Sequence, residues 1–446
     1  MKVLLYISRV IVGSLFVISG LIKANDPLGF SYKLNDYFAE SALNLTFLDD
    51  YALLLACLAC LAEIILGFAV IFGGKMKVAT WSLVGLTVFF GWLTLYTATC
   101  DPLSTYTTVV DGQEVERTVT CVTDCGCFGD ALKGSLGRSL TPWESFFKDL
   151  ILFIFILPMF FKRKSIQLND TKDDMILLPF SLAAIALLSW VFSWYFPVIF
   201  SIAAFIGYLI IKRIKPNSDW IIAGFVTVIS VSFILYCYTH LPIRDYRPYA
   251  VGKNIWEQMQ LPPNAKQDIY ETVLSYKNKN TGEVKDFTTE NYPWQDTLNW
   301  VFVDSQSKLI QKGDEAPIHD FSISDVDGND YAEDYLNEEG YLFIFISKNI
   351  SKADESNMKA ISKVIEEAYN NGHYAIGLTA SPKEDAEEFR HKHQLMCDFY
   401  FGDETTIKTV LRANPGVLIL KKGTVVGKWN GNHIPDFKTI KNEYLK

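Results

Sequence analysis

Long apolar runs fill the first half of the chain and stop near residue 239. Residues 3–22, 51–72, 78–97, 146–161, 175–193, 197–211 and 219–238 each approach the ~20 predominantly apolar residues a helix needs to cross a bilayer. The fourth and sixth runs are short, and Tyr195-Phe196-Pro197 breaks the chain between the fifth and sixth. Beyond residue 239 the pattern is that of a soluble domain. Residues 270–276 and 283–288 alternate apolar and polar positions around Lys279-Asn280-Thr281-Gly282, which predicts a β-hairpin. From Ala316 onward the chain predicts a short hairpin around Asp327-Gly328, then strand 342–346, helix 353–371, strand 374–378, helix 382–394, strand 398–401 and helix 404–412. A hairpin of 417–420 with 424–428 and a last helix near 435–445 follow. Strands alternating with helices imply βαβ units and a mixed sheet.

The expected fold class is therefore a multi-pass α-helical membrane protein with a C-terminal α/β domain. Four regions are expected: a membrane domain over 1–165 with a polar loop at 98–145, further membrane helices over 166–239, a linker with a β-hairpin over 240–315, and the α/β domain over 316–446.

Charge orients the spans. Lys75 and Lys77, then Lys162, Arg163 and Lys164, then Lys212, Arg213 and Lys215 fall in alternate loops, and such clusters mark the cytoplasmic side. The expectation is a bacterial inner-membrane protein with a cytoplasmic N-terminus and with the 98–145 loop and the C-terminal domain in the periplasm. The first run is membrane-length and carries Arg9 in its core, which favours a retained helix over a cleaved signal. A net charge of −9 without a basic stripe argues against a nucleic-acid partner. The lipid bilayer is the one partner that composition implies. Arg244 and Arg247 flank tyrosines just after the last span and are expected to anchor the linker at the membrane interface.

The candidate chemistry lies in cysteines. Cys100, Cys121, Cys125 and Cys127 put four of the eight into one polar loop. Tetrathiolate zinc fits poorly, because structural zinc sites present Cys-x2-4-Cys knuckles and the last gap here is one residue. No metal site is expected. On an oxidising side the four form disulfides in one of three connectivities, which serve either as structural staples or as a relay between Cys125/Cys127 and Cys100/Cys121. Gly126 keeps even a Cys125–Cys127 bridge sterically open. A second pair, Cys57 and Cys60, shares one face of the second span at a depth where a lipid-dissolved quinone could reach it, or simply packs as small apolar residues. Arg9 and Glu63 are the deepest ionisable residues of the first two spans and are expected to pair with each other.

Gly20-Leu21-Ile22-Lys23-Ala24-Asn25-Asp26-Pro27 after the first span, Glu63 and Gly67 in the second, and Cys125-Gly126-Cys127-Phe128-Gly129 before the fourth resemble the DoxX/MauE superfamily of four-helix membrane proteins over about residues 1–165. The resemblance implies support of disulfide formation in exported proteins, with Cys125 and Cys127 as redox candidates, and for the DoxX type a link to quinone reduction. The four-helix outline is also similar to that of vitamin K epoxide reductase relatives. The long extension after residue 165 departs from MauE, so a methylamine role is not implied.

The element order after residue 314, with Pro415 before the terminal hairpin, resembles the thioredoxin-like fold of the TlpA and peroxiredoxin type. By that resemblance Pro415 is a cis-proline candidate bordering a substrate groove. The Cys-x-x-Cys is absent: Ser347-Lys348-Asn349-Ile350-Ser351 stands in its place, and without a thiolate there is no nucleophile for exchange. Cys397 is the only cysteine of this region and reads as a buried thiol. The domain is expected to hold an exported protein partner, and the whole chain to act in envelope thiol–disulfide chemistry, quinone-linked in one version. The alternative is a non-catalytic scaffold or assembly factor with permanent bridges.

Overall fold

The computed structural model describes residues 2–445 except 102–103, 111–112, 123–125, 127, 217, 262–263 and 312. The first half is helical: α1 (Lys2–Asn25), α2 (Pro27–Phe38), α3 (Ala52–Phe72), α4 (Met76–Thr99), the short α5 (Ala131–Leu136), α6 (Pro142–Lys162), α7 (Thr171–Val191), α8 (Phe196–Ile214) and α9 (Asp219–Thr239). Six of these, α1, α3, α4, α7, α8 and α9, are long and apolar enough to cross a membrane. The chain is thus a multi-pass membrane protein with a C-terminal α/β domain. Helix α6 has the length, but Glu144, Lys148 and Asp149 occupy its first two turns. It nevertheless packs along α4 and α1. Outward faces of the bundle remain apolar, as at Phe89 and Trp92 of α4 and Phe180 and Trp190 of α7.

Helix α1 is the axis of the bundle and lies closest to α3. The approach depends on glycine: a Cβ at Gly67 would stand 2.8 Å from the Gly13 carbonyl and the Val17 amide, and one at Gly20 would stand 2.7 Å from Ile64 Cγ1. Gly20 therefore faces Ile64, and Gly13 faces Ile71, which fixes the antiparallel register. Phe68, Phe72 and Tyr208 stack where α3 meets α8.

That register corrects the expected Arg9–Glu63 pair. Arg9 sits level with the far end of α3, where its guanidinium donates to Val70 O (2.8 Å), Ile71 O (2.9 Å) and Asn169 Oδ1 (2.5 Å). Glu63 lies several turns away, opposite Gly20, and accepts from Lys23 Nζ at 2.5 Å. The expected pair needs the two residues within roughly one or two turns of the same depth, but the register puts Glu63 beside Gly20, eleven residues along α1 from Arg9.

At the other end of the bundle, β1 (Thr105–Val110) and β2 (Gln113–Thr118) form a hairpin inside the cysteine loop. The chain then leaves α9, forms α10 (Ile255–Met259), and builds a separate antiparallel sheet of β3 (Ile269–Asn278), β4 (Val284–Thr288) and β5 (Trp300–Gln311) in the order β4-β3-β5. The predicted hairpin is its β3–β4 half. Tyr276, Phe287, Trp300 and Phe302 pack their rings on one face, with Phe287 and Trp300 5.2 Å apart.

The C-terminal domain comprises α11 (Ala332–Leu336), β6 (Tyr341–Ser347), α12 (Met358–Asn370), β7 (Tyr374–Thr379), α13 (Lys383–His393), β8 (Asp398–Phe401), α14 (Glu404–Val410), β9 (Gly416–Lys421), β10 (Thr424–Asn430) and α15 (Phe437–Glu443). Its sheet runs β10-β9-β6-β7-β8, parallel across β6–β7–β8 and antiparallel across β6–β9–β10. Central strand β6 is buried on both faces. Phe343 and Phe345 meet α12, α13 and α15, while Leu342, Ile344 and Ile346 meet α11 and α14, the period-2 alternation of a sandwiched strand. Tyr249 and Ile255 join the second of these cores, and residues 252–255 hydrogen-bond to Gly423 and Val425, so the start of the expected linker is fixed to the domain.

Candidate functional site

The C-terminal domain rests on the bundle through α2 and the segment 242–247. Helix α2 is locally encoded: Asp26 caps it by accepting from the Gly29 amide at 2.8 Å, and Pro27 occupies its first position. Residues 23–50 read as plain loop from hydropathy, yet this Asp-Pro signature marks the helix.

Among the described residues, three contacts join Asn25, Asp26 and α2 to the domain and its leading segment. Arg412 Nε donates to Asp26 Oδ2 at 2.9 Å. Asn25 grips the Arg244 backbone from both sides, donating to its carbonyl at 2.7 Å and accepting from its amide at 3.2 Å. Tyr32 of α2 accepts from Lys348 Nζ, and its ring lies 4.6 Å from that ammonium, 5.2 Å from the Arg412 guanidinium and 5.4 Å from the Lys408 ammonium.

Below these contacts runs a buried ion network. Arg247, 2 % exposed, donates to both Asp245 oxygens at 2.8 and 2.9 Å and to Thr409 O at 2.8 Å, while Lys428 also donates to Asp245. Arg247 therefore anchors the linker to Asp245 and Thr409 of the protein itself, which corrects its expected place at the membrane interface. Burial alone would raise the Asp26 and Asp245 carboxyls. The guanidinium of Arg412 next to Asp26, and Arg247 and Lys428 next to Asp245, outweigh burial and hold both below the usual carboxylate range. Burial, with Lys408 nearby, lowers the Lys348 ammonium to about 8.

A cavity of about 310 Å³ lies between the bundle and the domain. Lys23 and Phe30 are at its floor, Gly126, Phe128 and Gly129 of the cysteine loop line one side, and Thr405, Lys408 and Arg412 close the top. Phe128 is held by the ring of Phe192, 5.2 Å away, and by the Lys148 ammonium 5.6 Å from its own ring.

Within the loop, Cys100 and Cys121 are disulfide-bonded, with Cα atoms 5.8 Å apart. This selects one of the three connectivities and leaves Cys125 and Cys127 as the remaining loop pair; both lie outside the described residues. Gly126, between them in sequence, is buried and lines the cavity. Cys57 and Cys60 are free thiols in α3, Cys57 half-buried and Cys60 fully buried. They lie about 7 and 12 Å along the helix from Ala52, taking 1.5 Å per residue. Among the described residues they are not joined to the Cys100–Cys121 bridge.

In the C-terminal domain the Asn414–Pro415 peptide is cis. Asn414 accepts from Ser347 Oγ and donates to Asn349 O, each at 2.8 Å, so the proline loop adjoins the segment that ends β6. Lys348 of that segment is occupied by Tyr32 of the same chain. Burial pushes the Cys397 thiol up to about 12, which leaves it protonated and a poor nucleophile at neutral pH. Sequence reading missed Lys23, Tyr32 and Arg412. Lys23 stands within the Gly20–Pro27 segment, but nothing in a single sequence ties it to Glu63, nor Tyr32 and Asp26 to residues more than 300 positions away.

A family model described as a domain of unknown function (DUF8463) matches residues 270–312, which coincides with the three-stranded sheet. No curated protein and no solved structure matches the chain. Residues 1–100, which hold α1 to α4, match the model for methylamine utilisation protein MauE, so the start of this membrane bundle is similar to that family.

Proposed function

We propose that the chain is a MauE-type envelope thiol–disulfide protein in which Cys125 and Cys127 are the exchanging pair and Cys100–Cys121 is a structural staple. The observation that carries the reading is the position of Gly126 on the wall of the 310 Å³ cavity, in a loop anchored by the Cys100–Cys121 bridge and by Phe128. A Cys125–Cys127 disulfide would oxidise a dithiol on an exported protein by exchange. One S–S bond breaks in the loop, one forms in the substrate, and the two substrate protons end on Cys125 and Cys127. Reoxidation removes two electrons and two protons, for which a membrane quinone is the acceptor class, converted to its quinol. Cys57 and Cys60, within the bilayer-length part of α3, are candidates for passing those electrons.

In this reading the cysteine loop and the C-terminal domain face the periplasm. The latter is a thioredoxin-like fold without its Cys-x-x-Cys, spanning about 316–446. The β6-β7 parallel pair, the antiparallel β9-β10 hairpin and the cis-proline preceding β9 support that fold. Its face beside Pro415 is engaged by Tyr32, which favours a cap over the cavity in place of a free partner-docking module. The same engagement is the observation in favour of the second reading, a scaffold whose cysteines stay bridged. Serine replacement of Cys125 and Cys127 in the whole chain tests the choice. Loss of disulfide formation in exported substrates, with normal accumulation of the variant, supports exchange; unchanged substrate oxidation supports the scaffold.

A further inference from the structure

We propose that Glu63, Thr87 and Lys23 enclose a water-binding site inside the four-helix core, filled from the domain-side cavity past Phe128. This inference is independent of the thiol reading. A second cavity of about 30 Å³ lies between α1, α3, α4 and α6, lined by Lys23, Glu63, Thr87, Phe90 and Asp149 among others. Its size exceeds the roughly 10–15 Å³ that one water requires, and is far too small for an organic ligand.

The walls supply what a water needs. Glu63 is 2 % exposed and Thr87 5 % exposed. Glu63 Oε1 accepts from Lys23, but Glu63 Oε2 and Thr87 Oγ1 have no hydrogen-bond partner among the described residues. Both residues line the cavity. An ionised carboxylate in a membrane core is expensive unless both oxygens are satisfied. One water donating to Glu63 Oε2 and exchanging a hydrogen bond with the Thr87 hydroxyl satisfies both groups, and two to four polar partners is the usual number for a buried water. A second ion pair, Lys148 to Asp149 at 2.6 Å, keeps the opposite wall polar.

The route follows from shared walls. Lys23 and Phe128 line both this cavity and the 310 Å³ one, so they form the partition between them. The Lys23 ammonium lies 4.7 Å from the Phe90 ring and 5.4 Å from the Phe30 ring, which keeps it in the core-side part of the partition. Phe128 is the aromatic wall that the two cavities share, and a water passing between them must clear its ring. Glu63 lies about 16 Å along α3 from Ala52, taking 1.5 Å per residue. Water at this site links the carboxylate to the domain-side solution although it stands well inside the bilayer-length helix.

The test is pulsed hydroxyl-radical footprinting of the full chain in lipid nanodiscs, with oxygen-18 water mixed in before the pulse. Phe90 and Leu152, which line the small cavity, should be oxidised several-fold faster than bilayer-facing Phe89 and Leu95, and Thr87→Val should reduce that labelling several-fold. Equal labelling of the lining and bilayer-facing residues would overturn the site. Phe128→Trp should slow oxygen-18 appearance at Phe90 several-fold. An unchanged rate would overturn the route. Neither readout depends on cysteine chemistry, so each stands if the thiol reading fails.

Discussion

The guanidinium of Arg412, on the C-terminal domain, donates to the carboxylate of Asp26 at 2.9 Å across a sequence separation of 386 residues. Asp26 also caps α2, so one carboxylate holds both the helix start and the domain above it. Arg412→Ala removes one partner of a largely buried pair, which costs about 3–5 kcal/mol where burial is complete; with Asp26 partly exposed, the lower end is expected. Hydrogen exchange at α14 and α2 should rise together in the variant. Faster exchange in neither helix would show that the contact does not hold the domain.

Acid should release the same contact. Asp26 and Asp245 have folded pKa values below the unfolded carboxylate value of about 3.9, so their stabilisation is complete above that value and lost as pH falls through the folded pKa. Exchange of α14 amides should be flat from neutral pH to about 5, after correction for intrinsic rates, and rise below about 4. Opening that begins near pH 6 would point to histidines instead.

Glu63→Ala should strand Lys23 in the core and lower the folded protein recovered from membranes, by an amount in keeping with the ~3–5 kcal/mol of a broken buried pair. Exchanging the two residues, Lys23→Glu with Glu63→Lys, should recover part of it. Pairing Glu63→Arg with Arg9→Glu should not, since Arg9 is committed to Val70, Ile71 and Asn169. Recovery is read as the monodisperse peak in detergent size exclusion.

Gly67→Val should separate α1 from α3, because even a Cβ meets the Gly13 carbonyl at 2.8 Å. Overpacking of this kind costs about 1–3 kcal/mol. Thermal unfolding should fall accordingly, whereas Gly85→Val, where a Cβ meets nothing within 4 Å, should leave it unchanged.

Most of the element order was legible, because apolar run length and strand alternation are local. Strand β6 at 341–347, the β9–β10 hairpin and helix α13 fall within a residue or two of expectation. Several elements escaped: α2, the β1–β2 hairpin, β5 and the short helices α5, α10 and α11. Helix α2 is too short and mixed for hydropathy, though Asp26-Pro27 announces it, and β5 carries polar residues at Asp304 to Lys308 that dilute its pattern. The site was legible only as cysteine spacing. Its geometry depends on helix register and on contacts such as Tyr32 with Lys348, which no local pattern encodes.

The most direct measurement is differential alkylation with mass spectrometry of all eight cysteines in native membranes, before and after a brief mild reductant. The account predicts that Cys125 and Cys127 change labelling rapidly while Cys100 and Cys121 stay bridged and Cys397 stays a reduced, slow thiol. Cys125 and Cys127 as fully bridged and unresponsive as Cys100 and Cys121, with Cys57 and Cys60 fully reduced, would contradict it.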